Sequence, residues 1–282
     1  MPLAAVARRG TRSPGAPDLT MPHKERSPFR SRSGRGQAGA SPPERGHGLA
    51  RVLSKLGHCS RTQGEALVRE GRVSVDGRII RDPEHRTFAS TARIEVDGRT
   101  VKAEAPVTLM LNKPRGLVTT RDDPEGRDTI YRCLEGLDLP HVSPVGRLDK
   151  ASEGLLLLTN DTAFGQALLD PASHVPKTYH VQIDRPADEA LLAGVRAGVE
   201  DRGEWLGVRS AKALREGARN AWLEIVLEEG RNRHIRRLLA ALGAETLRLV
   251  RVAIGDLQLG DLPKGAVRPL TEAERALLEH TP

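Results

Sequence analysis

The first regular apolar pattern in the chain begins at Leu49. Apolar residues recur from there at the spacing of one helix face, at positions 49, 52, 53 and 56, and Gly57 follows them. A second helix is predicted to begin at Ser60, because Gln63 three residues later completes a capping box, and to end at Gly71. The pattern therefore predicts two short helices in succession.

Alternating apolar and polar residues follow the second helix. Residues 73–79 alternate around an Asp-Gly pair, which is typical of a β-hairpin, and residues 94–101 contain a second Asp-Gly pair between strand-like segments. We therefore expect one compact module of helices and hairpins over residues 48–101, and a linker over residues 102–106.

Longer apolar runs occupy the second half of the chain. Residues 107–111, apolar except for Thr108, and the continuous apolar run at residues 155–158 predict buried strands. Apolar residues at positions 235, 238, 239 and 242 predict a helix with one buried face. We expect a larger domain over residues 107–274 and a C-terminal tail over residues 275–282.

Residues 1–47 have a different composition, rich in Arg, Pro, Gly and Ser and without apolar periodicity. Such a segment cannot bury enough apolar surface to offset the entropy of ordering, so we expect a disordered basic tail. Up to residue 48 there are nine basic and three acidic residues, so this part carries +6 of the net charge of +7. The tail is either a flexible arm that contacts phosphates or an incidental extension.

Several classes of protein are disfavoured by the composition. The chain has no run of about 18 apolar residues and no apolar secretory leader, which favours a cytoplasmic protein that does not enter a membrane. The two cysteines, Cys59 and Cys133, lack the spacing of a disulfide framework or a zinc site. No phosphate-binding loop or dinucleotide fingerprint is present, which is consistent with a protein that needs no metal and no cofactor. We expect a monomer.

Basic residues lie on the two predicted helices, where they create a positive face. The residues Ser60–Arg61 and the string REGRVSVDG at 69–77 resemble the S4 RNA-binding domain. S4 domains bind structured RNA through their helix pair. The resemblance therefore implies that four side chains of this module contact RNA phosphates: Arg51, Lys55, Arg61 and Arg69.

The string VGRLDKASEGLLLLTND at residues 145–161 places Asp149 in an irregular loop between two glycines, Gly146 and Gly154, each expected to form a turn. An aspartate in such a loop often only caps a turn. The whole string, however, closely resembles the second motif of the pseudouridine synthases. The resemblance implies that Asp149 is the essential aspartate and that Gly146, Leu148 and Gly154 support it.

Two further segments resemble motifs of the same family. Residues 177–179 are similar to its KxY motif, which implies that Tyr179 stacks on the target base. The string EGRNRHIRR at 229–237 is similar to its third motif, which implies that Arg236 forms a salt bridge with Asp149 and that Ile235 is the aliphatic contact. His234 stands where the family often has Gln, so the role of that position is open.

The resemblance covers residues 48–272 and is greatest to the S4-bearing RsuA/RluB-like branch. It implies an α+β fold: a small N-terminal S4 (αL-type) RNA-binding module, followed by a mixed, mainly antiparallel-sheet catalytic domain. The implied reaction is cofactor-free isomerisation of uridine to pseudouridine in ribosomal RNA or a pre-ribosomal particle, with the large subunit favoured. We expect Lys113, Arg147 and Arg233 to add phosphate contacts.

Three alternatives remain at this point. The first is the same reaction on small-subunit RNA, which the residues do not distinguish from the reaction on large-subunit RNA. A non-catalytic RNA-binding assembly factor would be expected to have lost part of the constellation, yet Asp149, Tyr179 and Arg236 are all present. A base hydrolase would need a second acid, and Glu153 is the nearest in sequence.

Overall fold

The computed structural model describes residues 46–217 and 219–279. Most of the expected basic tail, residues 1–45, lies outside the described residues. His47 and Gly48 already form a short strand that pairs with Thr87 and Arg86. Within the described ranges, no helix is long and apolar enough to cross a membrane.

The N-terminal module folds from its local sequence signals. Ser60 and Gln63 form the predicted capping box, and Gly57 and Gly71 end the two helices in the left-handed region, with φ of 76° and 74°. Apolar faces of both helices pack on the small sheet. The elements are β1 (His47–Gly48), α1 (Leu49–Lys55), α2 (Arg61–Arg69), β2 (Val73–Val75), β3 (Arg78–Ile80), β4 (Arg86–Thr87), β5 (Ile94–Val96) and β6 (Arg99–Thr100).

Residues 101–107 contain no helix or strand and lead into a larger sheet. Its strands are β7 (Thr108–Lys113), β8 (Ser143–Pro144), β9 (Glu153–Thr159), β10 (Lys177–Ile183), β13 (Ser210–Glu216), β14 (Ala221–Leu227), β15 (Thr246–Ile254), β16 (Leu257–Gln258) and β17 (Val267–Pro269). A separate hairpin comprises β11 (Val199–Asp201) and β12 (Glu204–Leu206). The helices are α3 (Thr162–Leu169), α4 (Glu189–Ala197), α5 (His234–Ala241) and α6 (Glu272–Glu279), with 3₁₀ turns at Ile130–Leu134 and Pro171–Ser173.

The large sheet has the order β13-β14-β10-β15-β9-β7-β17, with β8 and β16 added at its sides. Only β15 and β9 pair in parallel within this described sheet; every other pair is antiparallel. The expected α+β fold with a mixed, mainly antiparallel large sheet is therefore confirmed.

The two faces of the sheet are covered differently. The front face, defined as the side that carries Tyr179 and Ile225, packs against α4, α5 and residues 130–148. The rear face packs against α3 and α6, but only over β7, β9 and the end of β15. Successive residues of a strand point to opposite faces of the sheet, so each strand contributes side chains to both faces.

The expected C-terminal tail is wrong. The boundary at residue 274 falls inside α6, and Leu278 is buried in the rear core beside Phe164. Arg275 adds an ion pair to Asp161 at 2.8 Å. Apolar burial and this ion pair therefore make the end of the described chain part of the larger domain.

Gly154 does not form the expected turn. It lies within β9, opposite Lys113 on one side and Arg251 on the other, with φ of 100°. A Cβ atom at this position would come within 2.2 Å of the carbonyl oxygen of Arg251. Glycine is required here because two backbones approach too closely for any side chain.

Replacing Gly154 by alanine should therefore destabilise the protein far more than left-handed strain alone, which costs about 1–2 kcal/mol. Gly116 is the matched control, since its φ is 102° but a Cβ atom there would meet nothing within 4 Å. Urea unfolding of the Gly154→Ala and Gly116→Ala variants measures the difference. Equal losses of unfolding free energy would contradict the close-approach argument.

Candidate active site

The loop that carries Asp149 is fixed by its backbone. The amide of Ser152 donates to the carbonyl oxygen of Asp149 at 2.9 Å, and Gly146 turns the chain with φ of 74°. Leu148 is buried, and its carbonyl accepts a hydrogen bond from the Thr119 hydroxyl at 2.7 Å. The half-buried side chain of Asp149 thus projects from a loop that is held on both sides.

Lys113 was expected to contact RNA phosphates, and this is wrong. Its side chain is fully buried, and its ammonium group donates to the carbonyl oxygens of Pro114, Asp149 and Ser152 at 2.9–3.2 Å. Burial lowers the pKa of Lys113 to about 8, although the nearby charge of Asp149 opposes the shift. Lys113 is a positioning residue that ties β7 to the loop of residues 146–152 that carries Asp149, called the catalytic loop below.

A cavity of about 100 Å³ opens beside Asp149. Tyr179 lines it from β10, where its register opposite Ile225 directs the ring to the front face. Ile235, the first buried aliphatic residue of α5, lines the same cavity. The carboxylate, the aromatic ring and the aliphatic contact expected from the three motifs therefore meet at one site.

Arg147 and Arg233 are exposed and also line this cavity, which leaves them accessible to a polyanion. Arg233 has φ of 51° and immediately precedes α5. A left-handed arginine is unusual and is often found at functional sites. His234 is buried, and burial lowers its pKa, so its imidazole is neutral near pH 7.

Arg236 does not form the expected salt bridge with Asp149. Among the described residues, no nitrogen of Arg236 lies within 4.0 Å of that carboxylate; the guanidinium instead donates to the carbonyls of Ala151 at 3.2 Å and Thr246 at 3.1 Å. Burial and the charge of Arg233 lower the pKa of Arg236, while Asp149 acts in the opposite direction. The two groups thus interact through space, and Arg236 holds the backbone of the loop.

Comparison with known proteins identifies this site. The family described as RNA pseudouridylate synthase matches residues 107–241, and the S4 domain family matches residues 48–87. An RNA pseudouridine synthase of Aquifex aeolicus is 36% identical over 232 residues, which cover 82% of this chain and 92% of the relative. The chain belongs to the RNA pseudouridylate synthase family.

Two further comparisons support membership of the same family. The ribosomal large subunit pseudouridine synthase B of Haemophilus influenzae is 34% identical over 81% of this chain and 66% of its own length. A crystal structure of a pseudouridylate synthase is similar over 82% of this chain and 99% of the other, with 30% identity and a TM-score of 0.58. The isomerisation of uridine to pseudouridine in RNA is the reaction of this family.

Glu153 is not placed to act as a second acid in the synthase. It is buried, with its carboxylate bonded to Arg248 at 3.0 Å and to Lys264 at 2.5 Å. Burial alone would raise the pKa of Glu153, but the hydrogen bonds from these two cations outweigh it and lower the pKa. Its strand position directs it to the rear face, away from the cavity.

The predicted RNA contacts of the S4 module differ in their surroundings. Arg51, Lys55 and Arg61 line one groove of about 780 Å³ between α1 and the start of α3. Arg61 and Arg69 both pair with Glu65, at 3.6 and 3.2 Å, so part of their charge is already neutralised. Arg51 forms no ion pair with any described residue.

Sequence reasoning missed two groups that support the site. Thr119 carried no signal at all, because its partner Leu148 is far along the chain. The sequence does contain a signal for the burial of Lys113. This residue follows Leu109 and Leu111 at a period of two, which directs all three side chains to the same buried face.

The buried ammonium of Lys113 predicts a pH dependence of stability. Its pKa is about 8 in the folded state, against an ordinary value of 10.5, so the unfolded chain binds more protons between these values. Stability should therefore rise through that range as the cost of burying the charge disappears, by at most about 3 kcal/mol. The measurement is the unfolding free energy of the wild type minus that of Lys113→Met between pH 7 and 10.5. A difference that stays constant or falls would contradict the assignment.

Proposed function

We propose that this synthase isomerises a uridine of ribosomal RNA, with the large subunit favoured. The observation that carries the proposal is the meeting of Asp149, Tyr179 and Ile235 at one cavity, with basic side chains at its rim. The name of the Haemophilus influenzae relative supports the large subunit. That the protein is a cytoplasmic monomer stays a prediction.

Asp149 is the proposed catalytic nucleophile. Its carboxylate has no ion-pair partner among the described residues, so it is available to the substrate. One carboxylate oxygen attacks C1′ as the C1′–N1 bond breaks and the uracil leaves with the electron pair. After the base turns, C5 attacks C1′ and releases the carboxylate, while the C5 proton is lost and N1 regains one. Removal of a sugar proton to give a glycal is the other route open to the same group.

Tyr179 is proposed to hold the detached uracil by stacking. An aromatic ring gains stacking energy with any base orientation that keeps the planes parallel, so it permits rotation within the plane without release. The ring is half-buried between the two front-face cores, which fixes its position. Stacking and a confined cavity together favour rejoining over escape of the base.

Arg236 is proposed to stabilise the ionised form of Asp149 through space. A guanidinium near a carboxylate favours the charged form, which is the form required for attack. Because its hydrogen bonds are made to Ala151 and Thr246, Arg236 also keeps the loop in place.

The S4 module and the rim arginines are proposed to bind the RNA around the target. The target uridine must leave its stack to reach Asp149, at a cost of a few kcal/mol. Phosphate contacts by Arg51, Lys55, Arg147 and Arg233 offset that cost. Arg61 and Arg69 contribute less, since each already shares Glu65.

Asp149→Asn should abolish isomerisation while RNA affinity stays within a few fold, because the amide keeps the shape but is not a nucleophile. Ribosomal RNA from a strain that lacks the gene is mapped by carbodiimide modification, with and without the wild-type or variant protein. We expect one large-subunit pseudouridine to depend on the wild type.

Asp256→Asn, an exposed carboxylate in the β15–β16 turn, is the control and should restore the modification. Restoration by Asp149→Asn would remove Asp149 from its role. A dependent site in small-subunit RNA would correct the target but not the reaction.

The double variant Arg51→Ala, Lys55→Ala should weaken RNA binding and lower the slope of log K against log salt by about 0.7–0.9 for each phosphate that is no longer neutralised. Arg78→Ala, which removes an exposed arginine from β3 of the same module, is the matched control. Filter binding over a range of salt concentrations measures both. Equal slopes for the three proteins would defeat the assignment of the S4 groove.

A further inference from the structure

Part of the rear face of the large sheet is not covered by any residue that the structure describes. α3 and α6 bury the rear side chains of β7, β9 and the end of β15, including Leu155 and Leu157. Over β10, β13 and β14 the rear side chains are mostly polar, with Trp222 and Val226 among them, and are partly or fully exposed. An open polar face on a sheet of this size is free to contact another molecule.

One row of side chains crosses this open region in register. Arg215 lies opposite Trp222, Trp222 opposite Gln182, and Gln182 opposite Arg248. The guanidinium carbons of Arg215 and Arg248 lie 4.9 and 5.5 Å from the centre of the Trp222 ring. We call Arg215, Trp222, Arg248 and Lys264 the rear platform.

The platform carries an excess of positive charge. Arg248 and Lys264 share a single acid, the buried Glu153, at 3.0 and 2.5 Å. Arg215 forms no ion pair with any described residue. In the next row Glu224 is balanced by Lys212 at 2.8 Å and faces His180 at 3.6 Å. The platform therefore has three cations for one acid, and two of these positive charges are not compensated within it.

The platform and the catalytic loop lie at the same end of the sheet. Glu153, on which Arg248 and Lys264 converge, follows Ser152 directly, and Ser152 is part of the loop tied by Lys113. The Asp149 cavity opens on the front face, and the platform begins on the rear face of the same strand end. A polymer that crosses this edge can contact both.

We propose that the rear platform is a second RNA-contact surface, which takes an unpaired nucleotide of the substrate. Its base stacks on Trp222 in place of one of the two guanidinium groups that lie over the ring, and the adjoining phosphates bind Arg215, Arg248 and Lys264. Aromatic rings flanked by arginines on an open sheet are suited to single-stranded nucleic acid, because every base has a face to stack and every linkage a charge. The proposal rests on the proposed function only in taking RNA as the substrate.

A second copy of this chain fits the platform less well. The centres of protein interfaces are depleted in charged residues, and two copies would bring the same uncompensated cations together. A polyanion neutralises them. Charge complementarity therefore favours RNA as the occupant.

The test uses the full chain and a fluorescein-labelled oligouridylate. The chain contains two tryptophans, so the Trp205→Phe variant leaves Trp222 as the sole reporter. We expect quenching of its emission as the oligonucleotide binds. Arg215→Gln should lower the affinity on the order of fivefold, and Trp222→Leu about tenfold. Arg202→Gln removes the same charge from an exposed turn elsewhere and should leave the affinity unchanged.

Unchanged Trp222 emission, or equal affinities for Arg215→Gln and Arg202→Gln, would overturn the proposal. Self-association that Arg215→Gln abolishes without an effect on RNA binding would assign the surface to a second copy, and would overturn it too. Isomerisation of ribosomal RNA by the wild type is measured in parallel. If the wild type is active but the platform variants bind RNA as the wild type does, only the platform proposal is overturned. If the wild type is inactive, the proposed function is overturned, and the binding measurements still decide whether the platform contacts RNA.

Discussion

The arrangement of this site depends on a buried ammonium group. Lys113 reaches from the end of β7 and donates to the backbone of the catalytic loop at Asp149 and Ser152. Taking that charge out of water is costly, and the carbonyl oxygens around it offset the cost only while the loop keeps its position. The loop is therefore held in place by the ammonium group of Lys113, because no other position of the loop would offset the cost of burying that charge.

Arg236 completes this arrangement from the opposite side. Its hydrogen bond to Ala151, with those of Lys113 to Asp149 and Ser152, means that three of four consecutive loop carbonyls accept bonds from one buried and one half-buried cation. The backbone is thus fixed while the carboxylate of Asp149 stays unpaired. A catalytic group held in this way needs little reorganisation when the substrate arrives.

What the sequence predicted well was local. The capping box at Ser60 and the Asp-Gly hairpins involve residues a few positions apart, and the motifs around Asp149 and Tyr179 are continuous strings. What it missed depends on distant partners: Lys113 meets the loop across 36 and 39 residues, and Arg236 meets Ala151 across 85. Motif resemblance named Arg236 but assigned it the wrong hydrogen-bond acceptor, because no local pattern records which carbonyl a long side chain reaches.

The last helix has a consequence for how the chain is made. β7 stands near the start of the catalytic domain, yet it pairs with β17, and the rear core is closed by Leu278 of α6. Domains generally fold as units, N-terminal first, while synthesis proceeds. The S4 module, with its short-range contacts, can fold early. The catalytic sheet must wait with one edge and one apolar layer open until residue 278 has been synthesised, which makes that interval the time of greatest exposure to aggregation.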